Sequence, residues 1–114
     1  MIHRMGLYKT YFSDIKSGRK VVEIRLNDSK RQQIKVGDII EFVSVPSEEE
    51  SMRVKVTKLE PFDSFKELYE QVPFERMGCT GWTMDEMLEG TYAIYTKEQE
   101  ELFGALAITI EAIK

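Results

Sequence analysis

Gly18, Lys20, Glu23 and Arg25 set an ammonium, a carboxylate and a guanidinium close together behind a glycine. In an extended strand side chains alternate, so Val21, Glu23 and Arg25 share one face and Val22, Ile24 and Leu26 the other. The second set is apolar and belongs to a core, which leaves Glu23 and Arg25 near enough to pair. Lys20 has the parity of the core face and must sit at the strand mouth or be turned out by a bulge. A guanidinium suits bidentate contact with phosphate or carboxylate. The plainer reading of these residues is a surface ion pair worth ~0–1 kcal/mol, and spacing alone does not displace it.

Other reactive types are sparse. With one His and one Cys the chain has no cluster for a structural zinc, and nothing in it calls for a metal or a cofactor. His3 reads as exposed, and Cys79 has no neighbour that would activate it. There is no phosphate-cradling glycine loop and no Ser-His-Asp set.

The elements that must position the charged segment follow from periodicity. Tyr8, Tyr11, Phe12 and Ile15 recur at helical spacing, and Ser17-Gly18 ends that helix. Lys20 to Leu26 reads as a strand rich in Val and Ile. Asn27 or Asp28 caps a short helix or turn reaching Gln33. Val36-Gly37-Asp38 launches a strand from Ile39 to Val45, and Met52, Val54 and Val56 alternate in its hairpin partner across an acidic loop. Ser64-Phe65-Lys66-Glu67 and Thr83-Met84-Asp85-Glu86 have the capping form that opens helices. Pro73 closes the first, while Met84, Met87, Leu88, Tyr92 and Tyr95 make one apolar stripe. Thr96 opens a third short helix stopped at Gly104, before a strand through Leu106, Ile108 and Ile110. Strands with inserted helices predict an α+β fold built as a small, partly closed, mostly antiparallel barrel. Between Pro73 and Trp82 lies an irregular loop with two glycines and the only tryptophan. Trp82 either serves binding or pins its loop to the core.

A length of 114 residues fits a single domain spanning 1–114. The apolar runs fall far short of the roughly 20 residues needed to cross a bilayer, so no membrane is expected. Met1-Ile2-His3-Arg4-Met5 lacks the apolar stretch of a secretory signal, and a lone cysteine favours a reducing compartment, hence the cytoplasm. The net charge of −4 conceals an asymmetry: residues 1–35 carry +6 and the remainder −10. Screening limits exposed charges to about 8 Å at physiological strength, so a phosphate would sense the basic segment more than the total. The alternative is an ordinary solvated surface.

The charged segment resembles a known family. G-x-K-x-x-E-x-R is the signature of the ASCH (activating signal cointegrator homology) domain, a PUA-like barrel, and Gly18, Lys20, Glu23 and Arg25 match its four fixed positions. Lys35-Val36-Gly37-Asp38-Ile39-Ile40 resembles the family's turn into its next strand. Tyr92-Ala93-Ile94-Tyr95 and Phe103-Gly104-Ala105-Leu106-Ala107-Ile108 resemble its C-terminal helix and strand.

The resemblance implies binding of a nucleic acid, RNA before DNA, or of a nucleotide-like small molecule, in a cleft beside the motif. The ligand-binding set it implies is Gly18, Arg19, Lys20, Glu23, Arg25 and Trp82. Lys20 and Arg25 would contact phosphate or a base edge, and Glu23 would hold Arg25 or accept from a base amino group. Tyr8, Tyr11 and Trp82 are candidate stacking platforms, although both tyrosines also fit the core stripe.

One branch of the family consists of amidohydrolases acting on N(4)-acetylcytidine with a Lys, a Thr and a Glu. By resemblance Lys20 and Glu86 fall on two of these positions, and Glu23 occupies that of the Thr. If the chain were an enzyme, its catalytic set would be Lys20, Glu23 and Glu86. A carboxylate for a hydroxyl nucleophile changes the chemistry. Lys20 would act as a base only if its pKa fell by roughly 2–3 units, and a nearby carboxylate pushes it the other way. Glu86 also has a plain role as the third residue of the Thr83 capping box. Binding in either form requires Lys20, Glu23 and Arg25 to meet at one hollow; hydrolysis requires Glu86 there too.

Overall fold

A computed structural model describes residues 1–113. Five strands form one curled mixed sheet: β1 (Ile2–Tyr8), β2 (Val22–Leu26), β3 (Ile39–Val45), β4 (Ser51–Phe62) and β5 (Ala105–Ala112), in the spatial order β1-β3-β4-β5-β2. Only β1 and β3 run parallel; the other three pairings are antiparallel. Four helices are inserted: α1 (Lys9–Lys16), α2 (Phe65–Gln71), α3 (Met84–Tyr92) and α4 (Lys97–Phe103). The result is the α+β half-barrel that the alternation of strand and cap signals predicts. No helix among the described residues is long and apolar enough to cross a membrane.

Apolar side chains collect on both faces of the sheet. On one face Met5, Leu7, Phe42, Val54 and Ile108 pack with Phe12 and Ile15 of α1. On the other, Val22, Leu26 and Ala107 meet Phe65, Leu68 and Met87 of α2 and α3. The parity of β5, with Leu106, Ile108 and Ile110 on one side and Ala105 and Ala107 on the other, serves both cores.

Three boundaries differ from the sequence-based expectations. The pattern beginning at Tyr8 is not one helical stripe: Tyr8 ends β1 and is exposed, Tyr11 is 38% exposed, and only Phe12 and Ile15 carry α1 into the core. β1 itself has just Met5 and Leu7 to signal it, and its register comes from parallel pairing of Ile2 with Ile39 and Tyr8 with Val45. The motif strand starts at Val22, not Lys20. Lys20 makes an isolated antiparallel bridge to Met77, which places it at the strand mouth. β4 runs past Val56 to Phe62, because a bulge between Val56 and Lys58 shifts its register against β5 and hides the alternation.

The caps behave as their sequences predict. Thr83 and Thr96 each accept from the backbone N–H three residues on, and Glu86 and Gln99 reciprocate to the cap N–H groups. Ser64 Oγ accepts from Glu67 N–H, and Asp28 accepts from Arg31 N–H to start a short 3-10 turn.

Candidate binding site

The motif brings three charges together at the open seam between β2 and β1. Lys20 Nζ lies 2.8 Å from Glu23 Oε1. Arg25 Nε donates to the other oxygen, Oε2, at 2.8 Å. Arg25 Nη2 also donates across the seam to the Gly6 carbonyl at 2.9 Å. Glu23 and Arg25 share a face as their spacing predicts, but that face is not wet. Tyr11 of α1 and the Met77–Gly78 corner pack against Lys20 beside it, and Glu23 is only 3% exposed.

Burial by itself would push the Glu23 carboxyl up. The ammonium and guanidinium beside it, through charge and hydrogen bonds, outweigh that and hold it below its ordinary value. The trio therefore carries one net positive charge. The Lys20 ammonium also sits 4.9 Å from the centre of the Tyr11 ring, a cation–π contact supplied by α1.

Two glycines shape this corner. Gly18 adopts φ +85°, turning the chain out of α1, and a Cβ there would meet nothing within 4 Å, so its role is conformational. Gly78, at φ +74°, passes against Lys20, where a Cβ would stand 3.2 Å from the lysine Cβ. The irregular loop thus closes over Lys20. Val21 N–H donates to Arg76 O and Lys20 N–H to Asp14 O, tying the motif to this loop and to α1.

Beside the trio is a cavity of about 240 Å³, a little under the ~300–1,000 Å³ of typical small-molecule sites. Lys20, Glu23 and Arg25 line it together with Gly6 of β1 and Ile24 of β2. Opposite stand Tyr69, Thr91 and Tyr95 from the α2–α3 layer, and Trp82 and Tyr11 border its mouth. Trp82 is 44% exposed, so it borders the opening rather than filling a core.

Thr91 Oγ1 donates to Met87 O at 2.8 Å, so its one hydroxyl proton is engaged. Tyr69, 2.6 Å from Thr91 Oγ1, must then be the donor in that pair. Burial pushes its pKa up to about 12, so it remains a neutral phenol. Cys79 also borders the cavity, its thiol pushed up by burial and hence not a thiolate nucleophile at neutral pH.

The remaining sequence candidates lie elsewhere. Arg19 is exposed and pairs with Asp14, with Nη2 at 3.1 Å from Oδ1. Gly18 does not border this cavity. Glu86 is exposed on the first turn of α3, accepts from Thr83 N–H at 3.0 Å, and is not among the residues lining the cavity. Tyr69, Thr91, Tyr95 and Gly6 are lining residues that sequence reasoning missed. Tyr95 had only a place in an apolar helical stripe, and Gly6 contributes main chain, which leaves no mark in a sequence.

The ASCH domain family model matches residues 5–114. Solved structures with the same fold include the hypothetical protein PH0355, at 37% identity and TM-score 0.88 over 99% of this chain and 100% of that one. The solution structure of protein PF0455 from Pyrococcus furiosus is 32% identical, with TM-score 0.79 over 100% and 99% of the two chains. The ASCH protein of Zymomonas mobilis is 13% identical, with TM-score 0.58 over 96% of this chain and 66% of its own; at that identity the likeness concerns the fold alone. No curated protein matches the chain at a significant level.

Proposed function

The chain belongs to the ASCH domain family, a PUA-like, nucleic-acid-binding type of domain, and from that premise we propose that it binds single-stranded RNA by taking one base into the cavity beside Lys20, Glu23 and Arg25. The observation that carries this reading is a net positive trio at the floor of a hollow whose mouth is aromatic. Glu23 engages one donor from Lys20 and one from Arg25, and Gly6 O another from Arg25. Arg25 Nη1 and the remaining Lys20 protons make no hydrogen bond among the described residues, which leaves them for an acceptor on the ligand. The volume suits one planar ring and excludes a duplex, and aromatic faces stack bases with little regard to sequence. Exposed Lys9 and Lys16 of α1, the helix that also carries Tyr11, add positive charge for a phosphate chain.

The hydrolase reading draws no comparable support. Glu86 caps its own helix away from the cavity, and the residue at the nucleophile position is a carboxylate held between two cations.

Titration of short single-stranded RNA at low and moderate salt, with single-stranded DNA in parallel, tests the proposal. Binding should weaken as salt rises, and Lys20→Ala and Arg25→Ala, checked by thermal melting for a retained fold, should each weaken it roughly tenfold. No binding at low salt, or affinity indifferent to both substitutions, overturns it.

A further inference from the structure

The cavity opens onto two strand edges that have no neighbour. β1 and β2 are the two ends of the sheet. In an antiparallel ladder alternate residues turn their N–H and C=O toward the partner. On β2 the phase is set by Ile110 N–H donating to Val21 O and Asn27 N–H to Gly104 O, both at 2.9 Å. Within β2, Glu23 and Arg25 therefore turn their main-chain groups toward β5, and Ile24 turns its own away from it. On β1, Ile39 N–H donates to Met1 O, so residues 1, 3, 5 and 7 face β3 and Gly6 faces outward. The Gly6 carbonyl is indeed taken from that side by Arg25.

A second observation agrees. Glu23 and Arg25 point to one face of β2 and Ile24 to the other, yet all three border the same hollow. A hollow that touches both faces of a strand looks onto its edge. Among the described residues no hydrogen bond outside the strand ladders involves the Ile24 N–H or C=O, and the phase of the β2–β5 ladder turns both away from β5, although polar main-chain groups beside a cavity call for a partner.

We propose that Ile24 is the specificity-determining residue of the site and acts through its main chain. Its N–H and C=O pair with the adjacent acceptor and donor on one edge of a nucleobase lying in the gap between β2 and β1. The base takes the place of the missing strand, while the outward Gly6 N–H offers a further donor from the opposite wall. This rests on the RNA-binding reading above and adds what is read: the pairing edge of the base, rather than its ring face or the phosphate.

Proline at an edge strand is tolerated where the N–H faces away from the ladder, so Ile24→Pro deletes the donor without removing a sheet bond. Ile24→Ala is its control, trimming the same side chain while keeping the N–H. With the four RNA homopolymers as probes, Ile24→Pro should bind the preferred one roughly tenfold more weakly than Ile24→Ala, with the salt dependence of both unchanged. Equal affinity of the two variants overturns the inference and leaves RNA binding standing; failure of the unaltered protein to bind any homopolymer overturns both. A second arm needs no variant. The preferred homopolymer, methylated at the ring nitrogen of its pairing edge, should bind the unaltered protein roughly tenfold more weakly; equal affinity for the methylated and plain strands overturns the inference.

Discussion

Glu23 is a carboxylate at 3% exposure whose charge is kept by two cations. Moving it out of water opposes ionisation, and Lys20 and Arg25 reverse that balance. Breaking such a group from one side is costly, because the partners keep their charges in a place poor in water. Glu23→Gln should therefore lower the unfolding free energy by about 3–5 kcal/mol, read as a shift of the urea midpoint.

The acid limb follows from the same residue. Its folded-state pKa lies below the ordinary 4.5, so the stability it contributes is complete above that pH and is lost as pH falls through the depressed value. Urea melts of the unaltered protein should weaken with acid below about pH 4.5 more steeply than those of Glu23→Gln. Identical acid profiles would show that Glu23 has the same pKa folded and unfolded. At this scale the spacing of Glu23 and Arg25 already told that they share a face. It did not tell that the face is buried, because the cover comes from Tyr11 on α1 and from the Met77–Gly78 corner, both distant partners set by tertiary packing.

Helix ends were legible because their chemistry is local. Thr83 with Glu86 and Thr96 with Gln99 each close a reciprocal pair of bonds over three residues, a pattern visible in sequence. Thr96→Ala should cost about 1 kcal/mol, whereas Glu86→Gln, which preserves the box, should move the melting midpoint by less than the equivalent of ~0.5 kcal/mol. A large destabilisation by Glu86→Gln would mean that its carboxylate has a role beyond the cap.

α4 is also held by a contact that sequence does not announce. Buried Glu100 accepts from Phe65 N–H at 2.8 Å and from the Tyr92 hydroxyl at 2.8 Å, tying α4 to the starts of α2 and the end of α3. β1 was illegible for the opposite reason: two alternating apolar residues are too short a signal, and its parallel partner lies dozens of residues on.

As a whole the molecule is a sheet curled far enough to bring its two ends near each other but not to pair them, with Arg25 reaching across as a side-chain rung to Gly6. The candidate site is that unfinished closure. An occupant that bridges the two edges binds the folded chain and not the unfolded one. RNA at a hundred times its dissociation constant should therefore raise the unfolding free energy by about 2.7 kcal/mol, measurable as an upward shift in melting temperature; an unchanged midpoint at that saturation would mean that RNA binds folded and unfolded chains alike. The overall class of fold was legible from strand and cap signals, while the seam was not, since it depends on which strand ends up beside which.

The chain has one tryptophan, and it stands half in solvent at the rim of the cavity. The protein thus carries its own optical gauge. Emission from Trp82 answers to what enters the opening with no dye or tag attached, and its response to acrylamide quenching with and without an oligonucleotide distinguishes filling of the hollow from attachment elsewhere on the surface.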